Sequence, residues 1–302
     1  QRVEIGRPFC EIANEWWEET EPKLALQSVK SYKLAMSRAV TFFNDTPAKQ
    51  ITAQDILKFL NNLAKQGYSQ KVVSNTKMVV KQILDHAVLG NDIELNPCTS
   101  VTIRKDLPKE KREAASRIDE QTIKDNLDLW IFPYVALMTG MRKGELIGLK
   151  WSDIDLEHDM ITVNRSVWYG DGGAHEKTTK TEAGMRTIPI LAPLKDRILV
   201  ETSKFKPIPS YYVFGDEKPL SEKAYRYRYK KYSERLGISS TLHQLRKSFA
   251  TAAVDANVPP DVLKEIIGHK DISTTLNIYA EVRENRIKEA GNALSKMMLN
   301  NG

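Results

Sequence analysis

Four short segments of this sequence hold the residues whose types and spacing suit chemistry. In "TGMRKGELIGLKW" (139–151), Arg142 lies between Gly140 and Gly144, and Glu145 follows three positions later. Glycines on both sides imply a tight backbone path that presents the guanidinium, and a carboxylate at that spacing can orient it. In "HEKTTKTEAGMRTIPI" (175–190), Lys177 and Lys180 project from a strand-loop-strand pattern. "HQLRKSFAT" (243–251) puts His243 and Arg246 three apart, hence on one helix face beside its apolar stripe. In "IIGHKDISTTLNIYA" (266–280), Gly268 breaks a helix, His269 follows at once, Ser273 reads as a new N-cap, and Tyr279 lies near the end of the short helix that results.

Each segment alone has a plain structural reading: a surface Arg–Glu pair, an edge-strand lysine, a basic helix face, a histidine after a glycine, a core tyrosine. Together they assemble two arginines, two histidines and a lysine around one tyrosine. Guanidinium forks match phosphate oxygens, and fixed cations aimed at a phosphodiester under attack stabilise its added negative charge without a metal. Lysine can protonate a leaving alkoxide, histidine can serve as acid, base or donor, and tyrosine can attack phosphorus to give a covalent ester. Such an ester retains the bond energy, so strands can be rejoined without ATP. Competing chemistries lack their signatures. The sequence has no H-x-x-x-H, no paired cysteines, no G-x-x-x-x-G-K-[ST] loop and no G-x-S-x-G elbow.

The elements that must position these residues fall into two parts. The first hundred residues read as all-helical. "SVKSYKLAMSRAVTFF" aligns Val29, Tyr32, Met36, Val40 and Phe43; "ITAQDILKFLNNLAKQG" begins with Thr52 as N-cap and ends at Gly67; a third stretch runs from Ser69 to Gly90. Lysines intersperse the polar faces. Residues 104–116 are highly charged and aperiodic, which marks a linker. Beyond it helix and strand mix: "MITVNRSVWY" and "TEAGMRTIPI" read as strands of a small antiparallel sheet, "GDGG" as a loop, and the chain is helical from Ser221 onward. The final "VRENRIKEAGNALSKMM" carries an apolar stripe of Ile287, Ala290, Leu294 and Met297 or Met298.

The 302-residue length suits about two domains, and a net charge of +6 favours a polyanionic partner, nucleic acid first. No run of about 18 apolar residues suggests a membrane span. Cys10 and Cys98 are far apart and read as reduced packing residues.

The four segments stand in the order and at the spacing of the active-site segments of the tyrosine recombinases, the integrases of phages and mobile elements, and the sequence resembles that family over most of residues 117–285. The helical N-terminal region also resembles the family's core-DNA-binding domain. The resemblance implies a multidomain α+β chain. An all-α core-DNA-binding domain spans 1–103, a linker 104–116, and a mixed, mainly helical catalytic domain with a small antiparallel sheet and a C-terminal helix 117–302. It implies that Arg142 and Arg246 clamp the scissile phosphate, that Lys180 is the general acid for the leaving 5′-hydroxyl, and that His243 and His269 assist proton transfer and hold phosphate oxygens. Tyr279 is then the nucleophile that forms a 3′-phosphotyrosine link, with Glu145 in support. Lys180 is preferred to Lys177 because it stands at the family distance from "TEAGMRTIPI".

The activity implied is site-specific strand cleavage and religation, integrating or excising a mobile element, with no cofactor and no metal. The partners implied are double-stranded DNA at core attachment sites, a homo-tetramer on that DNA with the C-terminal segment docked on a neighbouring protomer, and accessory directionality or DNA-bending proteins. The setting implied is the bacterial cytoplasm or nucleoid. A start at Gln1, close to the first helix, adds the expectation of an upstream arm-site-binding domain. The sequence departs from the commonest pattern at Gln244, where Asp is frequent, and at Lys247, where His is frequent. Two rival readings share the chemistry or the fold: a type IB topoisomerase, and a non-catalytic DNA-binding protein.

Overall fold

The computed structural model describes residues 6–24, 26–108, 113–170, 172–178 and 185–300. The chain divides into two compact units, Gln1–Lys111 and Arg112–Gly302.

The first unit is helical: α1 (Phe9–Thr20), α2 (Leu26–Phe43), α3 (Ala53–Lys65) and α4 (Gln70–Leu89). Their apolar faces meet in a core that includes Phe9, Ile12, Phe59, Val79, Ile83 and Leu84, all buried. Thr52 begins α3 as its sequence suggests. Its hydroxyl accepts from the Asp55 amide at 3.2 Å, and the Asp55 carboxylate accepts from the Thr52 amide at 3.1 Å. Such a reciprocal cap contributes about 1 kcal/mol.

The second unit begins with α5 (Arg117–Asp125), α6 (Phe132–Thr139) and the single-turn α7 (Lys143–Gly148). Among the described residues five short strands follow: β1 (Ile154–Asp155), β2 (Met160–Val163), β3 (Arg165–Gly170), β4 (Gly173–Thr178) and β5 (Arg186–Pro189). The rest is helical, as α8 (Ala192–Thr202), α9 (Glu222–Leu236), α10 (Leu242–Asp255), α11 (Pro260–Ile267) and α12 (Ile272–Asn300). Phe132, Leu146, Ile161, Ile188, Leu194 and Leu245 centre its main core. A satellite cluster of Ala250, Val254, Leu263, Ile267 and Val282 joins α10, α11 and α12.

The expected small antiparallel sheet is present, divided among the described residues into two, ordered β1-β2-β5 and β3-β4. Three expectations are corrected here. "MITVNRSVWY" breaks at Asn164, so β2 pairs with β5, Ile161 opposite Ile188, while β3 pairs with β4. The strand-loop-strand of residues 175–190 therefore has its two arms in different sheets. Finally, the short helix before Tyr279 and the long terminal helix are one continuous α12. Ser273 does not cap it; the Asp271 carboxylate does, accepting from the Ser273 amide at 2.9 Å. Asp at an N-cap outcompetes a following Ser because its charge also meets the positive helix end. Tyr279 thus sits in the second turn of a 29-residue helix, not near the end of a short one.

Candidate active site

Two left-handed glycines build the site. Gly140 (φ +63°) closes α6 and Gly268 (φ +76°) closes α11. A β-carbon at Gly140 would stand 2.5 Å from the Phe249 ring, so no other residue fits without a shift. The carbonyls at these two helix ends converge on the arginines. Arg246 donates from Nη1 to the Gly140 carbonyl at 2.7 Å and from Nη2 to the Ile267 carbonyl at 2.9 Å. Arg142 donates from Nη2 to the Gly268 carbonyl at 2.6 Å. Helix C-termini carry partial negative charge, so they hold cations without supplying a full counter-charge.

Glu145 is 7% exposed and supplies that counter-charge. Its Oε1 accepts from Arg142 Nη1 at 2.9 Å, and its Oε2 accepts from the Arg142 amide at 2.8 Å. Arg186 meets the same carboxylate as a fork, Nη1 to Oε1 at 3.0 Å and Nη2 to Oε2 at 2.6 Å, while its Nε donates to the Ile266 carbonyl at 2.9 Å. Burial pushes the Glu145 carboxyl up, but the hydrogen bonds and charge of Arg186, then of Arg142, outweigh it and hold the group below the ordinary carboxylate range. Two guanidinium groups, those of Arg142 and Arg186, therefore share one carboxylate, and Arg246 feels all three charges. The surplus of positive charge is felt at Arg246, which burial and then the Arg142 charge depress to about 9, still a cation at neutral pH.

His269 follows Gly268 directly, and its Nδ1 is 2.9 Å from the hydroxyl of the fully buried Thr275. Burial lowers its pKa to about 4, helped by the charges of Arg246, Arg142, Arg186 and His243. It is therefore neutral at neutral pH. His243 lies exposed on α10, one turn before Arg246. Lys180 lies outside the described residues; Lys177 is exposed on β4. Among the described residues no cluster of three or more His, Cys, Asp or Glu side chains could hold a metal.

The structure thus brings Arg142, Glu145, Arg246 and His269 together, with His243 in electrostatic reach. It does not place Tyr279 among them. The Tyr279 ring packs on the satellite core, and its hydroxyl donates to the Val258 carbonyl, just past the end of α10. Arg246 lies near the start of that helix, and nine residues at about 1.5 Å each separate it from Asp255, on the order of 13 Å. Burial, with a smaller contribution from Asp261, raises the phenol's pKa.

Both departures at Gln244 and Lys247 have physical roles. Gln244 completes a capping box on α10, its Oε1 accepting from the Thr241 amide at 2.9 Å. Lys247 donates to both carboxylate oxygens of Glu281, at 2.7 and 2.8 Å, two residues beyond Tyr279. Two residues of the site, Arg186 and Thr275, were not singled out from the sequence. Arg186 had a signal: it shares the inward, period-two face of β5 with buried Ile188, and a cation there requires a partner. Thr275 had none.

Comparison with known proteins places the chain in a family. The phage integrase family matches residues 111–286, and the phage integrase central domain matches residues 9–104. Tyrosine recombinase XerA of Pyrococcus furiosus is 31% identical over 246 residues, covering 79% of this chain and 79% of its own length. A XerC-like tyrosine recombinase of Caldanaerobacter subterraneus is 30% identical over 264 residues, covering 77% and 68%. The Tn1549 transposon integrase, solved in complex with transposon right-end DNA, superposes with a TM-score of 0.71 at 20% identity over 93% of this chain and 99% of that one, a likeness of fold.

Proposed function

The chain belongs to the phage integrase family and is a tyrosine-type site-specific recombinase; we propose that it cuts and rejoins duplex DNA at core attachment sites to integrate or excise a mobile element, with Arg142, Lys180, His243, Arg246, His269 and Tyr279 as its catalytic residues. The Tyr279 oxygen attacks the scissile phosphorus as its hydroxyl proton passes to a histidine of the site, His243 or His269. A phosphorus–tyrosine oxygen bond forms as the bond to the 5′-oxygen breaks, leaving a 3′-phosphotyrosine, and Lys180 gives the leaving 5′-oxygen its proton. Arg142 and Arg246 neutralise the non-bridging oxygens as charge builds there, with His243 and His269 donating alongside. A 5′-hydroxyl from a second strand then reverses the step onto a new partner.

The observation that carries this reading is the cationic surplus of the site: the guanidinium groups of Arg142 and Arg186 share the carboxylate of Glu145, and Arg246 beside them is held by backbone carbonyls alone among the described residues. A site so charged favours an anion that gains negative charge during reaction. Exposed Arg226, Arg228, Lys230 and Lys231 on α9, and the lysine-bearing helices of the first unit, suit contact with further phosphates. The first unit acts as the core-DNA-binding domain, and residues 112–302 as the catalytic domain. Four protomers assemble on the DNA, in the bacterial cytoplasm or nucleoid, and the exposed Ile287, Leu294, Met297 and Met298 of α12 dock on a neighbour.

A nicked suicide duplex spanning the ends of the element that carries the gene tests this. The expected result is a covalent protein–DNA adduct at Tyr279, formed equally in EDTA. A protein that binds such duplexes but forms no adduct contradicts the reading, and one that relaxes plasmids lacking any attachment site favours a topoisomerase.

A further inference from the structure

We propose that Arg186 is a positioning residue for strand cleavage, which fixes the phosphate-clamping Arg142 and the His269 elbow as one rigid piece; the proposal rests on the function given above. Its side chain is 13% exposed and three of its N–H groups are committed inward, so it does not itself reach a phosphate. It acts through two neighbours.

The first is Glu145. A carboxylate offers about four acceptor positions. Here Oε1 takes Arg142 Nη1 and Arg186 Nη1, and Oε2 takes the Arg142 amide and Arg186 Nη2. With Arg186 in place the carboxylate has one orientation, and that orientation aims Arg142, whose side chain is 45% exposed and has its other anchor at the Gly268 carbonyl. The second neighbour is the α11 elbow. Arg186 Nε holds the Ile266 carbonyl, and its guanidinium lies so close beneath Gly268 that a β-carbon there would be 2.9 Å from Cζ. The Gly268 carbonyl takes the remaining terminal nitrogen of Arg142, and His269 is the next residue. Arg186 therefore buttresses both anchors of Arg142 from behind, and does so from β5, a strand that neither anchor belongs to. Lysine has the charge but not the planar fork, so it can satisfy only part of this set.

The test compares adduct formation by the wild type, Arg186→Lys and Arg186→Ala on two nicked suicide duplexes. One carries the normal scissile phosphodiester, the other a methylphosphonate at that position. Replacing a non-bridging oxygen by methyl removes the negative charge that Arg142 neutralises. On the phosphodiester the variants should slow about 10–100-fold, as when an outer partner of a reacting group is removed, with Arg186→Lys the milder. Duplex affinity should hold within about twofold, since Arg186 touches no phosphate. On the methylphosphonate the deficit should shrink to a few-fold. Equal deficits on both duplexes, an unaffected Arg186→Lys, or failure of both variants to fold would overturn the proposal, because each shows Arg186 to be either idle or only a folding residue. Absence of any Tyr279 adduct in the wild type would instead overturn the function on which it rests, so the two failures are distinct.

Discussion

Arg246 is 6% exposed, and its two terminal nitrogens are committed to carbonyls at two different helix ends. Tyr279, thirty-three positions later in the same unit, has one hydrogen bond, to Val258, and the helix that carries it is tied down by ion pairs at the surface. The arginine cradle is over-determined: Arg142, Arg186 and Arg246 are each held by at least two groups, and those groups hold one another. The tyrosine segment is held by few bonds, each of which water could replace. Preorganisation is worth most where charge develops, because a donor already in place costs no reorganisation at the moment of reaction. A nucleophile gains from the opposite design. If its hydroxyl rests on a backbone carbonyl until DNA and neighbouring protomers are in place, strands are not cut early.

The comparison is broken most sharply by Tyr279→Phe. Adduct formation on a suicide duplex should vanish, while DNA binding persists and stability drops by no more than the net worth of one hydrogen bond, about 1 kcal/mol. Any covalent complex formed by the Phe variant would place the nucleophile elsewhere. Next in size are Arg142→Ala and Arg246→Ala. Each should slow cleavage by about 10²–10³-fold, the usual cost of deleting a preorganised donor, with far smaller losses in affinity. Equal losses in affinity and rate would make them ordinary phosphate anchors.

His269 reports on the cradle without a substitution. Its titration, followed by its imidazole resonances, should have a midpoint near 4 in the free protein and move upward when the scissile phosphate offsets the arginine charge. The sign for stability follows. An unfolded histidine takes up a proton near pH 6.5 and the folded one only near 4. Between those values the unfolded chain binds more protons, so stability falls as pH is lowered through that window. His269→Gln should flatten that part of the profile. A free-protein midpoint near 6.5 would mean that His269 is neither buried nor under the arginines' field.

How much of this was legible depended on how local the physics is. The α3 cap at Thr52 and Asp55 and the helix-ending Gly268 are settled by residues within a turn of one another, and their patterns show in the sequence. The sheet partition is not local. Asn164 ends one strand and begins another, and only tertiary pairing reveals that β2 and β3 part company there, β2 to β5 and β3 to β4. The start of α12 was hidden because Asp271 and Ser273 both suit an N-cap, and the choice rests on which side chain reaches the free amide. In the site, the residue types were readable, while the sharing of the Glu145 carboxylate by Arg142 and by Arg186, which stands forty-one positions beyond it, was not. Nor does any pattern reveal that the Tyr279 hydroxyl rests on Val258.

The smallest expected effects test the looser half of the comparison. Two ion pairs hold α12 against α10: Lys247 with Glu281, and Arg286 with Asp255. In the first, the lysine side chain is 16% exposed and the carboxylate takes two hydrogen bonds. In the second, both partners are about half exposed, at 53% and 52%. Exposed pairs contribute about 0.2–1 kcal/mol, and each 1.4 kcal/mol is a factor of ten. If Tyr279 must leave Val258 before it reacts, weakening either pair should raise the population of the released state and speed the first cleavage. Asp255→Asn should do so by no more than about twofold, and less in high salt, where surface charges are screened. Glu281→Gln, which loosens the better-shielded pair two residues from the nucleophile, should give a few-fold gain with weaker salt dependence. Adduct rates measured on one suicide duplex at two salt concentrations separate the two variants. A slower rate in Glu281→Gln would reverse the interpretation, because it would show that Lys247 and Glu281 guide Tyr279 toward the phosphate and not away from it.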